Sequence, residues 1–267
     1  SVLLQGYPNL EYIIIDGGST DNTLEIIKKY EPWLAYWVSE PDRGQSHAVN
    51  KGVAKATGDI IFWLNSDDMV LPGAFRIVAE TFVAHPEVSI VSGQAWLIDQ
   101  DGDRIGEIRS DFSTWKELVV RPRNAIRQVS TFFRRRLFEC YGFLDESLNI
   151  SMDTEIIARF TQHQAPIVIP NYLSAFRSHP YAKTARLLLE GYKETDRVRK
   201  KMLKGSEKFS QYKIHSSANW LSLSEMEKFS AIERFYSLLR AVKINPKVVF
   251  TRRYWASTRK NFIIKKS

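Results

Sequence analysis

Short β-branched runs alternate with helical stretches over the first third of this chain, and that alternation narrows the possible folds more than any other feature. Residues 11–16 (Glu-Tyr-Ile-Ile-Ile-Asp), closed by Gly17-Gly18, read as a buried strand. Residues 19–23 supply capping side chains, and Leu24, Ile26, Ile27 and Tyr30 recur at the spacing of one helical face. Residues 35–39 read as a second strand, and 46–56 as a second helix with Ala48, Val49, Val53 and Ala56 inward. Residues 59–64 read as a third strand and 73–85 as a third helix. A β-α-β-α-β-α order with short connections predicts an α/β fold with a mainly parallel central sheet flanked by helices. Such sheets bind ligands at the carboxyl ends of their strands. Those ends carry Asp16, then Glu40 with Asp42, then Asn65, Asp67 and Asp68.

Farther along, 88–98 is strand-like, 99–103 is a hairpin turn, and 104–108 is the returning strand. The aspartates of the turn lack EF-hand spacing and read as a solvated turn. Residues 128–133 read as a strand, 135–141 as a helix, 153–162 as a helix opened by Asp153, and 167–169 as a short strand. From Lys183 the pattern is helical and charged. A boundary near Ala182 therefore divides a catalytic body, residues 1–182, from a basic helical extension, residues 183–267. The chain starts without Met in what reads as mid-helix, so the native start is expected upstream.

Thirty-eight Lys and Arg oppose thirty Asp and Glu, a net charge of +8. From Leu239 to Ser267 there is no acid, while Arg240, Lys243, Lys247, Arg252, Arg253, Arg259, Lys260, Lys265 and Lys266 interleave with Phe250, Tyr254, Trp255, Phe262, Ile263 and Ile264. Such a tail suits peripheral contact with anionic lipid at the inner face of a membrane, or a solvated basic helix packed on the domain. Nucleic acid is not an expected partner. Cys140 is the one cysteine, so no internal disulfide forms and a cytoplasmic, reducing compartment fits. No apolar run approaches the ~20 residues that cross a bilayer, and no signal peptide is visible.

The adjacent carboxylates Asp67 and Asp68 repel unless a cation or hydrogen-bond donors sit against them. A divalent metal with oxygen ligands is the sharpest candidate. The plainer reading has Asp68 capping a turn before Pro72-Gly73 and Asp67 accepting backbone hydrogen bonds.

Taken together, the segments are more specific. Tyr12-Ile13-Ile14-Ile15-Asp16-Gly17-Gly18-Ser19-Thr20-Asp21-Asn22-Thr23, Ser39-Glu40-Pro41-Asp42-Arg43-Gly44, Asn50-Lys51-Gly52, Ala56-Thr57-Gly58-Asp59 and Leu64-Asn65-Ser66-Asp67-Asp68 resemble, in order, the family 2 glycosyltransferases. The resemblance runs from Ser1 to about Thr184. It implies a glycosyltransferase A fold, a nucleotide-diphosphate sugar donor, a Mg²⁺ or Mn²⁺ ion and inversion at the anomeric carbon. By the resemblance, Asn65-Ser66-Asp67 occupies the family's Asp-x-Asp position. Asp67 then matches the metal and diphosphate ligand, with Asp68 in support, and Asn65 leaves the motif one charge short.

Asp16 matches the acid that helps hold the nucleoside, with Gly17, where many relatives carry a second Asp, and Ser19 beside it. Arg43, Gly44, Ser46 and Asn50 match the lining of the donor pocket. His47 stands where some relatives have Asp, and by itself reads as an exposed helix residue. Gln128 and Thr131, in a segment matching the central region, join Arg177 and His179 as the acceptor or diphosphate loop. His179 is also assigned to the metal, and Arg177 has the alternative role of fixing its loop through backbone hydrogen bonds. Met152-Asp153 aligns with an acidic pair whose second member is the general base, taking the acceptor's proton. At a helix start the dipole favours the ionised form, although Asp is also a common N-cap.

No Gln-x-x-Arg-Trp motif of processive synthases occurs, so transfer of a single sugar is expected. The acceptor expected is a saccharide or lipid-linked saccharide in cell-envelope polysaccharide or lipopolysaccharide assembly. One alternative is a catalytically impaired nucleotide-sugar binding protein. Another is a metal-dependent phosphatase or nucleotidyltransferase, against which stands Asn65 where a phosphatase needs a nucleophilic Asp.

Overall fold

The computed structural model describes residues 1–112, 114–120, 126–226, 229–251, 253, 254 and 257. They divide into two compact units, one formed by Ser1–Leu118 with the chain up to Leu187, the other chiefly by the chain from Leu188. In sequence the division falls a little beyond Ala182.

The first unit begins with β1 (Ile13–Asp16), α1 (Thr23–Tyr30), β2 (Tyr36–Ser39), α2 (Gln45–Lys55) and β3 (Ile60–Ile61). It continues with β4 (Met69–Val70), α3 (Ala74–Ala84), β5 (Ile90–Ile98), β6 (Arg104–Ile108) and α4 (Trp115–Val120), the last crossing into the second unit. After it come β7 (Thr131–Arg134), α5 (Arg136–Tyr141), α6 (Met152–Thr161), β8 (Ile167–Arg177) and α7 (Lys183–Arg186). β1 and β2 pair in parallel, Ile13 opposite Tyr36 and Asp16 opposite Ser39, as expected for strands joined by a crossover helix. The larger sheet has the order β3-β7-β5-β8-β4, with β6 on β5.

This is an α/β architecture of sheet flanked by helices, but the sheet is mixed rather than mainly parallel. β5 and β8 pair in parallel, whereas β3–β7, β5–β7, β5–β6 and β4–β8 are antiparallel. Strand-helix-strand units enforce parallel pairing only between the strands they join. Beyond α3 the chain instead makes a hairpin and then returns strands from the opposite direction.

Aromatic packing anchors this sheet beneath the strand ends. Phe62 stacks on Phe132 at 4.2 Å and Trp63 on Phe133 at 5.4 Å. Val70, Ala74, Val78, Phe82, Val91 and Leu173 fill the adjoining core. Gly93 lies where β5 and β8 approach closely, and a Cβ there would stand 2.5 Å from Leu173 Cγ and 2.7 Å from the Asn171 carbonyl oxygen. The ladder shifts register at that point, between Ser92 and Gln94. Gly44 opens α2 at φ 125°, a conformation side-chain-bearing residues rarely adopt.

The second unit contains α8 (Leu188–Leu203), α9 (Phe209–Ser224) and α10 (Ala231–Ile244), followed by a 3₁₀ turn (Pro246–Phe250). Leu189, Trp220, Leu221, Leu223, Leu238 and Ala241 form its core. Ser230 and Glu233 make a capping box at the start of α10. Asp196 is buried there, accepting hydrogen bonds from Tyr212 Oη (2.9 Å) and Ser216 Oγ, with Arg240 Nη2 at 3.7 Å. Among the described residues, no helix is long and apolar enough to cross a membrane. Of the basic tail, residues 252, 255, 256 and 258–267 lie outside the described residues.

Candidate active site

The segment after β3 carries the central acids, and three hydrogen-bond systems fix it. Asn65 accepts from Gln45 Nε2 (2.7 Å) and donates through Nδ2 to Asp68 Oδ2 (3.0 Å). The backbone N–H of Arg177 donates to Asp68 Oδ1 (2.9 Å). The Arg177 guanidinium donates through Nε to the Asp67 carbonyl (3.0 Å) and through Nη1 to the carbonyls of Asp99 (2.9 Å) and Gln100 (2.8 Å). Arg177 thus ties the acidic loop to the hairpin turn, in the backbone-fixing role weighed from the sequence. The turn itself is closed by Asp99, whose Oδ1 accepts from the N–H groups of Asp101 and Asp103.

These bonds separate the two adjacent acids. Asp68 is buried, 6% exposed, and both its oxygens already accept hydrogen bonds. Burial pushes its carboxyl up to about 6; the donors from Arg177 and Asn65 oppose that rise and the neighbouring Asp67 charge adds to it. Asp67 points elsewhere, its side chain 39% exposed, with Oδ2 3.2 Å from His179 Nε2. Asp67 and His179, 112 residues apart in sequence, therefore form an accessible oxygen and nitrogen donor pair. Asp68 does not join them: among the described residues no group of three acidic, His or Cys side chains could hold a metal. Two such protein ligands could hold Mg²⁺ or Mn²⁺, because these ions complete their shells with further oxygen ligands and water.

Asp16 ends β1 in a dense local network. Its Oδ2 accepts from Gly18 N (3.1 Å), Ser19 N (2.9 Å) and Ser39 Oγ (2.6 Å), and its Oδ1 from Ser19 Oγ (2.5 Å). Burial raises this carboxyl, but the donors from Ser19, Ser39 and Gly18 outweigh burial and bring it down to about 2. Gly17 is exposed beside it, and a Cβ at that position would stand 3.3 Å from Asp42 Oδ2. Asp42 is held through Oδ1 by Lys51 Nζ (2.5 Å) and His47 Nδ1 (3.0 Å). His47 is thus turned inward, its side chain only 17% exposed, contrary to the expectation of an exposed helix residue. The carboxylate of Asp42 supplies the reason, since the i, i+5 spacing brings it over the first turn of α2.

The remaining donor-pocket candidates hold a loop. Arg43 donates to Glu146 Oε2 (2.6 Å from Nη2), and Asn50 exchanges two hydrogen bonds with the backbone of Leu144 (3.0 and 2.9 Å). Ser46 Oγ donates to the Leu148 carbonyl (3.1 Å), and Gly44 lies against Asn149. Together they fasten residues 144–149, which lead into α6. Ser66 is exposed between Asn65 and Asp67.

Ser151 is the N-cap residue of α6, and Asp153 sits in its first turn, partly buried, accepting from Thr154 N (2.6 Å). Burial raises its carboxyl above the ordinary value, opposed by the Thr154 N–H and the Arg127 cation. Desolvation therefore outweighs these opposing contacts. Gln128 and Thr131, expected to serve the acceptor or diphosphate, are buried. Gln128 donates to the Trp63 carbonyl, and Thr131 Oγ1 bonds Ser92 Oγ (2.9 Å) and the Arg127 carbonyl (2.6 Å). Gln128 lies in a 3₁₀ turn, Gln128–Ser130, and Thr131 opens β7, so their polar groups bond within the fold.

Several neighbours escape a reading by motif. Gln45 and Glu146 gain their partners only through contacts distant in sequence. Tyr181, 80% exposed with its ring 6.5 Å from that of His179, places an aromatic face beside the donor pair. Its one legible signal is an aromatic two residues after His179 in a loop.

The family model described as glycosyl transferase family 2 matches residues 1–142. An uncharacterized glycosyltransferase of Mycobacterium tuberculosis is 34% identical over 182 residues, covering 66% of this chain and 67% of the relative. In structure, the chain is similar to TarS of S. aureus, with a TM-score of 0.65 at 14% identity, covering 98% of this chain and 50% of TarS. It is also similar to the mannosyltransferase PcManGT from Pyrobaculum calidifontis, solved with GDP-Man and Mn²⁺, with a TM-score of 0.54 at 17% identity, covering 99% of this chain and 82% of that one. These two likenesses establish the glycosyltransferase A type of fold, and this chain spans half the length of TarS.

Proposed function

Because the chain belongs to glycosyltransferase family 2, we propose that it transfers a single sugar, with inversion, from a nucleotide-diphosphate sugar to a saccharide or lipid-linked acceptor. The process served is cell-envelope polysaccharide or lipopolysaccharide assembly, in the cytoplasm beside the inner face of the membrane. The observation that carries this reading is the pairing of Asp67 Oδ2 with His179 Nε2 at 3.2 Å, accessible at the end of a sheet. An exposed carboxylate beside an imidazole is a donor set for a divalent ion and, through it, for a diphosphate. The Mn²⁺ and GDP-Man bound by PcManGT lend support to that assignment.

In the proposed reaction Asp153 accepts the proton of the acceptor hydroxyl as the oxygen attacks the anomeric carbon from the face opposite the diphosphate. A carboxyl raised by burial suits that task, because its proton affinity lies closer to neutrality than that of a solvated aspartate. Asp67 and His179 would hold Mg²⁺ or Mn²⁺, which when bound supplies positive charge to the departing diphosphate. Asp16 and Ser19 shape the turn against which the nucleoside rests, and Asp68 orients the Asp67 loop through Asn65 and Arg177. Arg43, Ser46 and Asn50 act on the same pocket by fastening residues 144–149 ahead of Asp153.

The test follows release of nucleoside diphosphate from a panel of sugar nucleotides with Mn²⁺ and a membrane extract. Wild type is compared with Asp67→Ala and Asp153→Asn. Each substitution is expected to lower the rate by about a hundredfold or more. Full activity in both variants would reject the mechanism, and release of inorganic phosphate from simple esters would indicate a phosphatase instead.

A further inference from the structure

Helix α10 of the second unit is apolar on two sides. Leu238 and Ala241 are buried in the unit's core, while Ile232, Tyr236 and Leu239 recur at i, i+4 and i+7 and are 81%, 37% and 53% exposed. Lys243 continues that row at i+11 and is exposed. Single exposed aliphatic residues are ordinary on a protein surface, but a row along one helix face marks an interaction surface.

The charge around the row identifies the partner. Between Ala231 and Tyr254 the one acidic residue is Glu233, whose carboxylate is used in the capping box of α10. The same stretch carries Lys243 and Lys247, both exposed, while Arg240 and Arg253 are engaged by Asp196 and Glu225. Lys193 of α8 adds a cation 5.1 Å from the ring of Tyr236, at the edge of the row. An apolar row bordered by cations complements an anionic lipid leaflet, whose headgroup region offers phosphates above and acyl chains below. A second copy of the chain matches poorly, because a self-complementary contact would bring Lys193 and Lys243 of both copies to one seam.

We propose that the exposed face of α10 docks on an anionic membrane surface, Ile232, Tyr236 and Leu239 entering the headgroup boundary and Lys193 and Lys243 facing lipid phosphates. The proposal concerns the second unit and is independent of the transfer chemistry.

Vesicle flotation of the full chain tests it, with phosphatidylcholine vesicles compared with vesicles that also contain phosphatidylglycerol. Wild type is expected to float with the anionic vesicles only, and to lose binding as salt is raised. The double substitution Ile232→Ser with Leu239→Ser is expected to weaken partition about tenfold or more, and Lys243→Glu several-fold. All three side chains are exposed, so thermal melts are expected to match wild type. Should the serine pair fail to fold, Lys243→Glu decides alone. Equal binding by wild type and the folded variants overturns the proposal. So does a wild-type dimer in sedimentation velocity that the serine pair dissociates while neither protein binds vesicles, which would identify a second copy as the occupant.

Discussion

Asn65 makes two hydrogen bonds of opposite sense that an aspartate cannot. Its oxygen accepts from Gln45 and its amide nitrogen donates to Asp68, so the missing charge of the motif is what allows a buried acid to sit 3.0 Å away. Asn65→Asp would set two carboxylates against each other. It should cost about 1–3 kcal/mol of stability in metal-free protein at pH 7 by urea unfolding, and less at a pH low enough for the pair to take up a proton. Asp16 has the opposite linkage. Its native pKa of about 2 lies below the ordinary value near 3.8, so its stabilisation is present above about pH 4 and lost as pH falls toward 2. Asp16→Asn should therefore destabilise by on the order of 2 kcal/mol at pH 7 and have little effect near pH 2. For Asp153 the expected readout is kinetic. With its pKa raised by burial, the acid limb of kcat/KM should lie above the usual carboxylate range if Asp153 serves as the proposed base, which must be ionised to work.

Among the elements, the β5–β8 contact leaves no room for a side chain at Gly93. A Cβ at Gly93 would meet Leu173 at 2.5 Å, whereas one at Gly106 in β6 would lie 3.7 Å from Leu97, an ordinary contact. Gly93→Ala should thus lower stability by about 2–3 kcal/mol in thermal or urea melts, while Gly106→Ala stays within about 1 kcal/mol. Neither Gly93 nor its bulge announces itself in sequence. β1, α1, β2, α2, α3, β5 and β6 are legible there because each carries a local apolar period bounded by Gly, Pro or capping residues. β4 is not, since two residues become a strand only by pairing with Ser174 and Ala175 of β8. β8 itself runs from Ile167 to Arg177, far past the expected 167–169, because Pro170 and Asn171 read as a stop while the strand continues across a register shift. The same limit applies to the site. Asp67, His179 and Asp153 are legible as chemistry-bearing residue types in motif positions, whereas the burial of Asp68, Gln128 and Thr131 depends on neighbours from other strands. Arg177 shows the consequence for function: Arg177→Ala removes donors to Asp67, Asp99 and Gln100. It should depress activity more than stability, and Arg177→Lys should not restore it, since an ammonium cannot span three carbonyls with a planar fork.

At the scale of the whole molecule, each unit carries its own core, and the second places charge inside it. Asp196 is enclosed by Tyr212, Ser216 and Arg240, and the nearby Arg199 is buried, its pKa pulled down by that burial to about 10 against the attraction of Asp196. Asp196→Asn should destabilise the chain by about 2–4 kcal/mol in urea unfolding followed by tryptophan emission, with the buried Trp220 as a reporter, because it leaves cationic neighbours without their counter-charge. The first unit carries a different burden. Its donor pair joins residues 112 positions apart, and the loop beneath is fixed by Arg177 from nearly as far. Contacts of such span form only after a long stretch of chain has closed on itself, an entropic barrier that slows folding. During synthesis, then, a nascent chain presents Asp67 well before β8 and His179 have left the ribosome. Affinity of the proposed site for a divalent ion should therefore arise only once His179 has joined Asp67.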